Sequence, residues 1–516
     1  APPSVTLRFV GGTSAMIVLV NPRATRPKNR RFPLSIMSLG AMLPEGQSWA
    51  IVDGNLPGVD IADEVAALID AHASTTDPVS LVAMTVMPGP QLVSAVPAAR
   101  RLKRRYANIP IVWGGYFPSL YPGPVLNASY VDWVVRGQGE QTFLELLEVV
   151  DGRRDPKSVA GLAFRDNEAD WIGPERTWLP PDAFPRPPYE KIPVDEYVHP
   201  TQLGHRSAVY QTSIGCPYSC NFCGVIAAYG SRQTVEAPSR SEENLRYLVD
   251  NHGVDSIHFY DNNFILKEEV TRELCERLLP LKLSWWCEAR IDALLRLSDS
   301  TWDLLRKAGL KMVYTGAESG SDAVLKRMSK HLTTDKTLAV AEKTRAYGII
   351  PEFSFVFGDP EDPEGDIDAT LGFLRRLKSV NPAMELVTYF YTPTPQRRGT
   401  FGNVDPLAGT PTTLEEWTEP KWLGWMTHED PHLTWLPREL KARVEDFELV
   451  LKSRFPFVHD TKTKNWGKVL AKWLAKGRWK HEHYHNPRML RAVRRWALTE
   501  KEDRQQYGHL RPAATR

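Results

Sequence analysis

The sequence has no long apolar run. Its first strong one, Ala15–Val20, is six residues long, against the roughly 18–20 that a bilayer-spanning helix needs. No charged start followed by a long apolar stretch marks a secretion signal. Cysteine is scarce, five in 516 residues, which excludes a disulfide scaffold and suits a reducing, cytoplasmic setting. No internal repeat is visible. Charge is not extreme either: with 42% hydrophobic and 24% charged residues and a net charge of +2, neither disorder nor a fibrous architecture fits. At about 150 residues per domain the length allows about three domains.

The charge is nevertheless uneven. From Lys462 to Trp496 eleven Lys and Arg face a single acid, Glu482, so this segment carries ten net positive charges and the remainder about eight negative ones. A basic tail on an acidic body points to an acidic surface or ligand for the tail. Within it, Trp466, Val469, Leu470, Trp473 and Leu474 recur at helical spacing, with Lys468, Lys472 and Lys476 expected on the opposite side. Such a basic amphipathic helix either packs on the protein with its lysines in water or lies in a bilayer interface. Peripheral membrane contact through 466–476 is therefore an open expectation. Nucleic-acid binding is not expected, because no binding module accompanies the charge. His481, His483 and His485 read as an exposed turn, with a metal site as the alternative.

Residues 1–15 read as a loose end. Beyond them apolar strands alternate with amphipathic helices: strands at 16–20, 49–53, 79–85, 110–115 and 131–135, helices at 63–72, 91–105 and 140–150. Nearly continuous apolar strands separated by helices predict a parallel sheet covered on both faces, here a doubly wound five-stranded domain over 1–150 with its ligand outside the carboxyl ends of the strands. Pro-rich residues 151–205 read as a connector. A second alternation over 206–400 predicts strands near 207–213, 255–260, 283–287, 311–316, 350–357 and 384–390, with helices at 241–251, 267–279, 292–308, 334–347 and 364–377. Six such units are too few for a closed eight-fold barrel and predict an open (β/α)6 partial barrel. Residues 401–516 read as a separate, mostly helical C-terminal region.

Three of the five cysteines fall in Cys216-Pro-Tyr-Ser-Cys220-Asn-Phe-Cys223, directly after the first strand of the second alternation. Three thiolates on one short loop suit three corners of an iron–sulfur cluster, leaving one iron open to a small molecule. Zinc usually draws a fourth ligand from a second CxxC or CxxH pair, and no such pair is present. Cys275 lies in a helical pattern and reads as core; Cys287 reads as a buried thiol that could line the site.

The CxxxCxΦC loop, with Phe222 before its last cysteine, resembles the signature of the radical S-adenosylmethionine (SAM) superfamily. The resemblance implies a [4Fe–4S] cluster on Cys216, Cys220 and Cys223, SAM chelated to its open iron, and an external electron donor such as a flavodoxin or ferredoxin. Further segments are similar to that family in order: Tyr260-Asp261-Asn262-Asn263-Phe264, Glu288-Ala289-Arg290 running to Asp292, and Gly316-Ala317-Glu318-Ser319-Gly320. Phe357-Gly358-Asp359-Pro360 resembles its GxPGE turn, with Asp359 as a departure. The resemblance places Phe222, Asn262, Arg290, Glu318 and Ser319 near SAM.

The first domain resembles that of the cobalamin-binding radical SAM class. Gly114-Gly115-Tyr116-Phe117-Pro118-Ser119 is similar to its GGxHPT loop, with Phe117 in place of His. Arg136-Gly137-Gln138-Gly139-Glu140-Gln141-Thr142 is similar to its RGEGExT turn, with Gln138 in place of Glu. The resemblance implies cobalamin held near Thr85, Gly114, Gly115, Gly137, Gly139 and Glu140. The DxHxxG motif that supplies a lower histidine ligand in many cobalamin domains is missing, and the first histidine is His72. Cobalt is therefore expected to have no histidine ligand, with Thr85 or neighbouring Met87 and Pro88 approaching its lower face.

As the resemblance implies it, the activity is a cobalamin-dependent radical SAM methyltransferase that moves a methyl group from methylcobalamin to an unactivated carbon of a small or lipophilic substrate. The alternative is an oxidative cyclase or rearrangement enzyme like the anaerobic magnesium-protoporphyrin ester cyclases. A non-catalytic sensor is a third reading. No acid–base catalytic residue is assigned.

Overall fold

The computed structural model describes residues 15–25, 29–167, 169–396, 399–428, 431–457 and 465–497; the loose end read at 1–15 lies almost wholly outside them. The described residues build two large sheets and a two-stranded one. The first contains β1 (Met16–Asn21), β2 (Trp49–Asp53), β3 (Val79–Thr85), β4 (Ile111–Gly114), β5 (Trp133–Val135), β6 (Leu162–Asp166) and β7 (Ala169–Ile172), in the order β2-β1-β3-β4-β5-β6-β7. β1 to β5 are parallel. Every residue of β1 is buried because the strand is covered twice. Met16, Val18 and Val20 face the helices Ile61–His72 and Pro90–Arg105, while Ile17 and Leu19 face Leu34–Ala41 and Gly139–Val150. The strand order reverses at β1 and β3, and that crevice at the carboxyl edge is where doubly wound sheets bind ligands.

The sheet has seven strands, not the expected five. The extra pair, β6 and β7, is antiparallel and lies in the stretch expected to be only a connector. It escaped the pattern because β7 is a mostly exposed edge strand, which needs no apolar run, and its turn is a short polar one with Asn167 at φ 56°.

The second sheet is built from β8 (Ser207–Tyr210), β11 (Ser256–Phe259), β12 (Ser284–Glu288), β13 (Leu310–Glu318), β14 (Ile350–Phe357) and β15 (Glu385–Phe390). All six are parallel and run in chain order. β8 and β15 do not pair, so the layer stays open. A separate antiparallel hairpin, β9 (Ser213–Cys216) with β10 (Arg232–Val235), frames the cysteine loop. The single helix expected over 292–308 is two, Ile291–Arg296 and Asp299–Lys307. Ser298 separates them: extended at φ −66° and ψ 156°, it caps the second helix by accepting from the Thr301 N–H.

The C-terminal region is helical but not free-standing. Leu414, Trp417 and Met426 belong to the core of the first domain, and Leu436, Val444, Phe447 and Leu451 to that of the second. Cys275 and Cys287 are fully buried in the second core. A buried polar knot ties the connector to the first sheet: Asp53, 2% exposed, accepts from the Tyr197 hydroxyl at 2.7 Å, from Asn21 Nδ2 at 3.0 Å and from Asn55 Nδ2 at 2.7 Å. Asp53→Ala leaves the Tyr197 hydroxyl, Asn21 Nδ2 and the Asn55 N–H, which also bonds Asp53 at 2.8 Å, without that acceptor, while Asn55 Nδ2 keeps the Pro22 carbonyl at 3.4 Å. The substitution is expected to lower unfolding stability by about 3 kcal/mol, and Tyr197→Phe by about 1 kcal/mol, read as the shift in the denaturant midpoint of the transition that reports the first domain.

Candidate functional site

The cysteine loop begins where β8 turns out of the sheet. Asp261, at the end of β11, takes hydrogen bonds from the Thr212 hydroxyl (2.7 Å), the Ser213 hydroxyl (2.6 Å) and the Thr212 N–H (3.1 Å). Burial pushes its carboxyl up to about 6. Next to it, Asn262 Oδ1 accepts the Gly215 N–H at 3.2 Å. Gly215 sits at φ 86°, and a Cβ there would lie 2.4 Å from the Arg232 carbonyl oxygen, so the hairpin admits only glycine before the first cysteine. The segment after β11 therefore staples the loop.

Cys216, Cys220 and Cys223 all line one cavity of about 420 Å³. Burial raises the thiol of Cys216 and takes that of Cys223 up to about 11. Among the described residues no three Cys, His, Asp or Glu side chains converge on one ion, as the closed mononuclear zinc sites require. Three sulfurs lining a cavity, each able to take a different metal, suit a cluster. Arg290 approaches Cys220 Sγ at 3.4 Å, bonds Asp292 at 2.9 Å and lies over the Tyr218 ring at 3.7 Å.

Asn262, Phe222, Arg290 and Glu318 line the same cavity. Glu318 stands at the end of β13 with φ 65°, beside a register shift against β14. Such left-handed backbone in a non-glycine residue costs about 1–3 kcal/mol and clusters at functional sites. Its carboxylate pairs with Lys330 Nζ at 2.5 Å, both side chains 7% exposed. A Cβ at Gly316 would sit 1.9 Å from that carboxylate, which explains the glycine two residues earlier. Ser319, expected near SAM, is not among the residues lining that cavity: its hydroxyl bonds Asp366 at 2.6 Å and braces the helix Pro363–Val380. Asp359 is likewise absorbed by an ion pair with Arg327.

All six residues expected near cobalamin, Thr85, Gly114, Gly115, Gly137, Gly139 and Glu140, line a second cavity of about 270 Å³ at the carboxyl edge of the first sheet. Gly115 has φ 97°, and a Cβ there would press on the Thr85 hydroxyl and the Val86 backbone at 3.0–3.1 Å. Ser119 of the first glycine loop accepts the Gly137 N–H of the second at 2.9 Å, so the two loops form one cradle. Glu140 accepts from the Ser38 hydroxyl at 2.8 Å, and burial raises its carboxyl. No histidine is among the described lining residues; His72 bonds the Asp77 carbonyl at 3.0 Å and does not reach the cavity. Of the lower-face candidates, Thr85 lines this cavity, Pro88 lines the cysteine cavity and Met87 is 53% exposed.

Both departures from the family loops have partners. Gln138 bonds the Leu179 backbone twice, donating to the carbonyl at 2.9 Å and accepting the N–H at 2.8 Å, which a glutamate cannot do. Phe117 is fully buried edge-on against Trp417, ring centroids 5.4 Å apart, where a histidine would have to bury a polar ring.

Sequence reading missed Tyr314, Lys330, Tyr389, Thr392, Trp425 and His428, which also line the cysteine cavity, as do Tyr116 and Glu288 of the quoted motifs. Tyr116 follows the first glycine loop, and its hydroxyl lies where a Cβ on Gly224 would be, 1.8 Å away. That glycine, directly after Cys223, lets the two domains touch at the cysteine loop. His428, at φ 58°, meets the Thr392 hydroxyl through Nδ1 at 2.5 Å.

Two family models match the chain: the B12 binding domain over residues 23–147 and the radical SAM superfamily over residues 210–374. The chain belongs to the cobalamin-binding radical SAM superfamily, and its cofactors are a [4Fe–4S] cluster, SAM and cobalamin. It is 27% identical over 349 residues to an uncharacterized methyltransferase of Pyrococcus horikoshii, covering 67% of this chain and 73% of that one. It is 25% identical over 380 residues to the anaerobic magnesium-protoporphyrin IX monomethyl ester cyclase of Synechocystis, covering 71% and 72%. Among solved structures, the radical SAM methyltransferase TsrM of Kitasatospora setae, with cobalamin and a [4Fe–4S] cluster bound, superposes with a TM-score of 0.63 at 16% identity over 93% of this chain and 98% of that one. That likeness is one of fold.

Cys220→Ala, reconstituted without air, is expected to lose the broad visible absorption of a four-iron cluster while keeping bound cobalamin. Gly114→Leu, which puts a side chain into the second cavity, is expected to do the reverse. Both are read in one absorption spectrum with iron and cobalt analysis; equal losses in both variants would contradict the division. A third cavity is lined by Glu352, which burial and then its acidic neighbours Glu385 and Glu288 push up to about 8. With the folded value above the ordinary 4.5, the native state holds an extra proton between these limits, so stability falls as pH rises from about 4.5 towards 8. Glu352→Gln lacks that titration. Its melting temperature relative to the parent protein is expected to be higher at pH 9 than at pH 4, and an unchanged difference would remove the assignment.

Proposed function

We propose that the chain is a cobalamin-dependent C-methyltransferase that places a methyl group on an unactivated carbon of a small or lipid-like molecule held between its two sheets. One observation carries this reading. Pro88, Tyr116, Leu120 and Tyr121 of the first domain line the same cavity as Cys216, Cys220 and Cys223. A molecule in that cavity touches both cofactor-bearing domains at once, which is what a reaction using both cofactors on one carbon demands. When bound, the cluster with SAM supplies a hydrogen-abstracting radical, and cobalamin supplies the methyl group.

The chain's own groups then have distinct tasks. The three cysteines hold the cluster, and Arg290 steadies Cys220. The adjacent opposite charges of Glu318 and Lys330 match the ammonium and carboxylate of the methionine part of SAM, with Phe222 and Asn262 completing its walls. Thr85, the paired glycine loops and Glu140 cradle cobalamin, with no histidine offered to cobalt. Tyr314, Tyr389, Thr392 and His428 present polar atoms to the substrate, while Leu120, Trp425 and Met426 cover it and keep water out. An external electron donor completes the set. The relative named as a methyltransferase supports this reading; the one named as a cyclase keeps an oxidative cyclase as the alternative.

The reduced, reconstituted holoenzyme is to be given methyl-labelled SAM. Methyl transfer predicts S-adenosylhomocysteine, with label first in the protein fraction. 5′-Deoxyadenosine without S-adenosylhomocysteine would select the cyclase reading, and neither product would leave a binding protein.

A further inference from the structure

The helix Asn465–Lys480 does not present the face expected from its sequence. The face that meets the body is a seam of small residues: Gly467 and Ala475 are buried and Ala471 half-buried, packed with Leu474 against Leu449, Val450 and Leu490. At its end Trp479 locks onto Phe455, ring centroids 5.2 Å apart, and Phe447, 5.9 Å. The rotation of the helix is therefore fixed. Its large apolar side chains point outwards: Trp466 is 51% exposed, Val469 70%, Leu470 39% and Trp473 70%. They stand at i, i+3, i+4 and i+7, a single stripe. Of the lysines expected on the opposite side, Lys468 is half-buried, while Lys472 and Lys476, joined by Lys480, are exposed.

We propose that this face seats the protein on an anionic phospholipid bilayer. An exposed stripe of two tryptophans with aliphatic neighbours is a surface with something to cover it. Its chemistry selects a lipid interface over a protein groove. Tryptophan, apolar in body and polar at one edge, belongs at headgroup depth. The stripe is convex, on one helix, as a flat bilayer accepts and a cupped protein surface would have to be shaped for. Cations dominate around it: beyond the three lysines comes exposed Arg488, while the one acid nearby, Glu482, is engaged by Arg375 at 3.0 Å. Among the described residues no helix is long and apolar enough to cross a membrane, so the contact is interfacial, with the apolar stripe inserted and the lysines on phosphate oxygens. The three histidines, expected as a turn or a metal site, belong to no described metal-binding group. The lipid contact is independent of the chemistry in the cavity.

The full-length, reconstituted protein is to be sedimented with vesicles of phosphatidylcholine alone and of phosphatidylcholine mixed with phosphatidylglycerol. Binding to the mixed vesicles is expected, with a blue shift of tryptophan emission and release by salt. Trp466→Ser with Trp473→Ser, and separately Lys472→Glu with Lys476→Glu, are each expected to weaken binding by about tenfold or more, with the cluster spectrum and melting temperature unchanged because these side chains are exposed. Failure to sediment with the mixed vesicles overturns the proposal. So does equal binding by the parent and both double variants, a self-association in light scattering that the tryptophan variants abolish while vesicle binding is absent, or retention on double-stranded DNA in place of vesicles.

Discussion

A parallel sheet puts the carboxyl ends of all its strands on one edge, and this molecule brings two such edges together. The turns after β3 and β4 supply Pro88 and Tyr116 to a cavity whose other walls come from the ends of β9, β12, β13 and β15. Carboxyl edges are where loops leave the sheet and helices begin, so backbone N–H groups and unusual φ angles concentrate there. Three of this chain's positive-φ residues stand there: Gly115 at φ 97°, Gly215 at φ 86° and Glu318 at φ 65°. Chemistry that needs two large cofactors on one carbon has few other ways to bring them within reach of it.

Short polar ties fix the loops and the connector at these edges, beside the apolar packing of Phe32 and Met37 into the second core. Asp261 and Asn262 hold the cysteine hairpin to β11. Ser119 joins one glycine loop to the other, and Asp53 and Gln138 pin the connector to the first domain at two points. Each tie is buried or half-buried, where an unmade hydrogen bond costs more than a made one contributes. That asymmetry favours one arrangement over neighbouring ones. It also explains why the residues responsible are Asp, Asn, Gln and Ser rather than larger apolar groups.

The sequence was most legible where burial is two-sided. β1 and β3 read as nearly continuous apolar runs, and three cysteines in eight residues had no structural use. It was least legible where an element is exposed on one side or where a side chain is chosen for a partner far along the chain. β7 is an edge with few buried positions. Ser319 looked like a site residue from its neighbours in sequence, but Asp366, 47 residues later, claims its hydroxyl. Lys330 lies twelve residues after its partner Glu318, on a loop with no motif of its own. Gln138 and Phe117 looked like defects in the loops they occupy, yet Leu179 and Trp417 account for them.

Those last two substitutions bear on how the C-terminal region joined the rest. Trp417 completes the core of the first domain, while Trp425, Met426 and His428, a few residues further, line the cysteine cavity. One short segment therefore anchors on one domain and closes the site formed with the other. Replacing a polar ring by Phe117 makes the anchor wholly apolar, and an apolar anchor holds the wall over the cavity without placing a titratable group behind the cobalamin loop. Residues 375–516 lie outside both family models, yet they supply Trp425, Met426 and His428 to the cavity wall, so the paired edges of the two cofactor domains do not enclose the site by themselves.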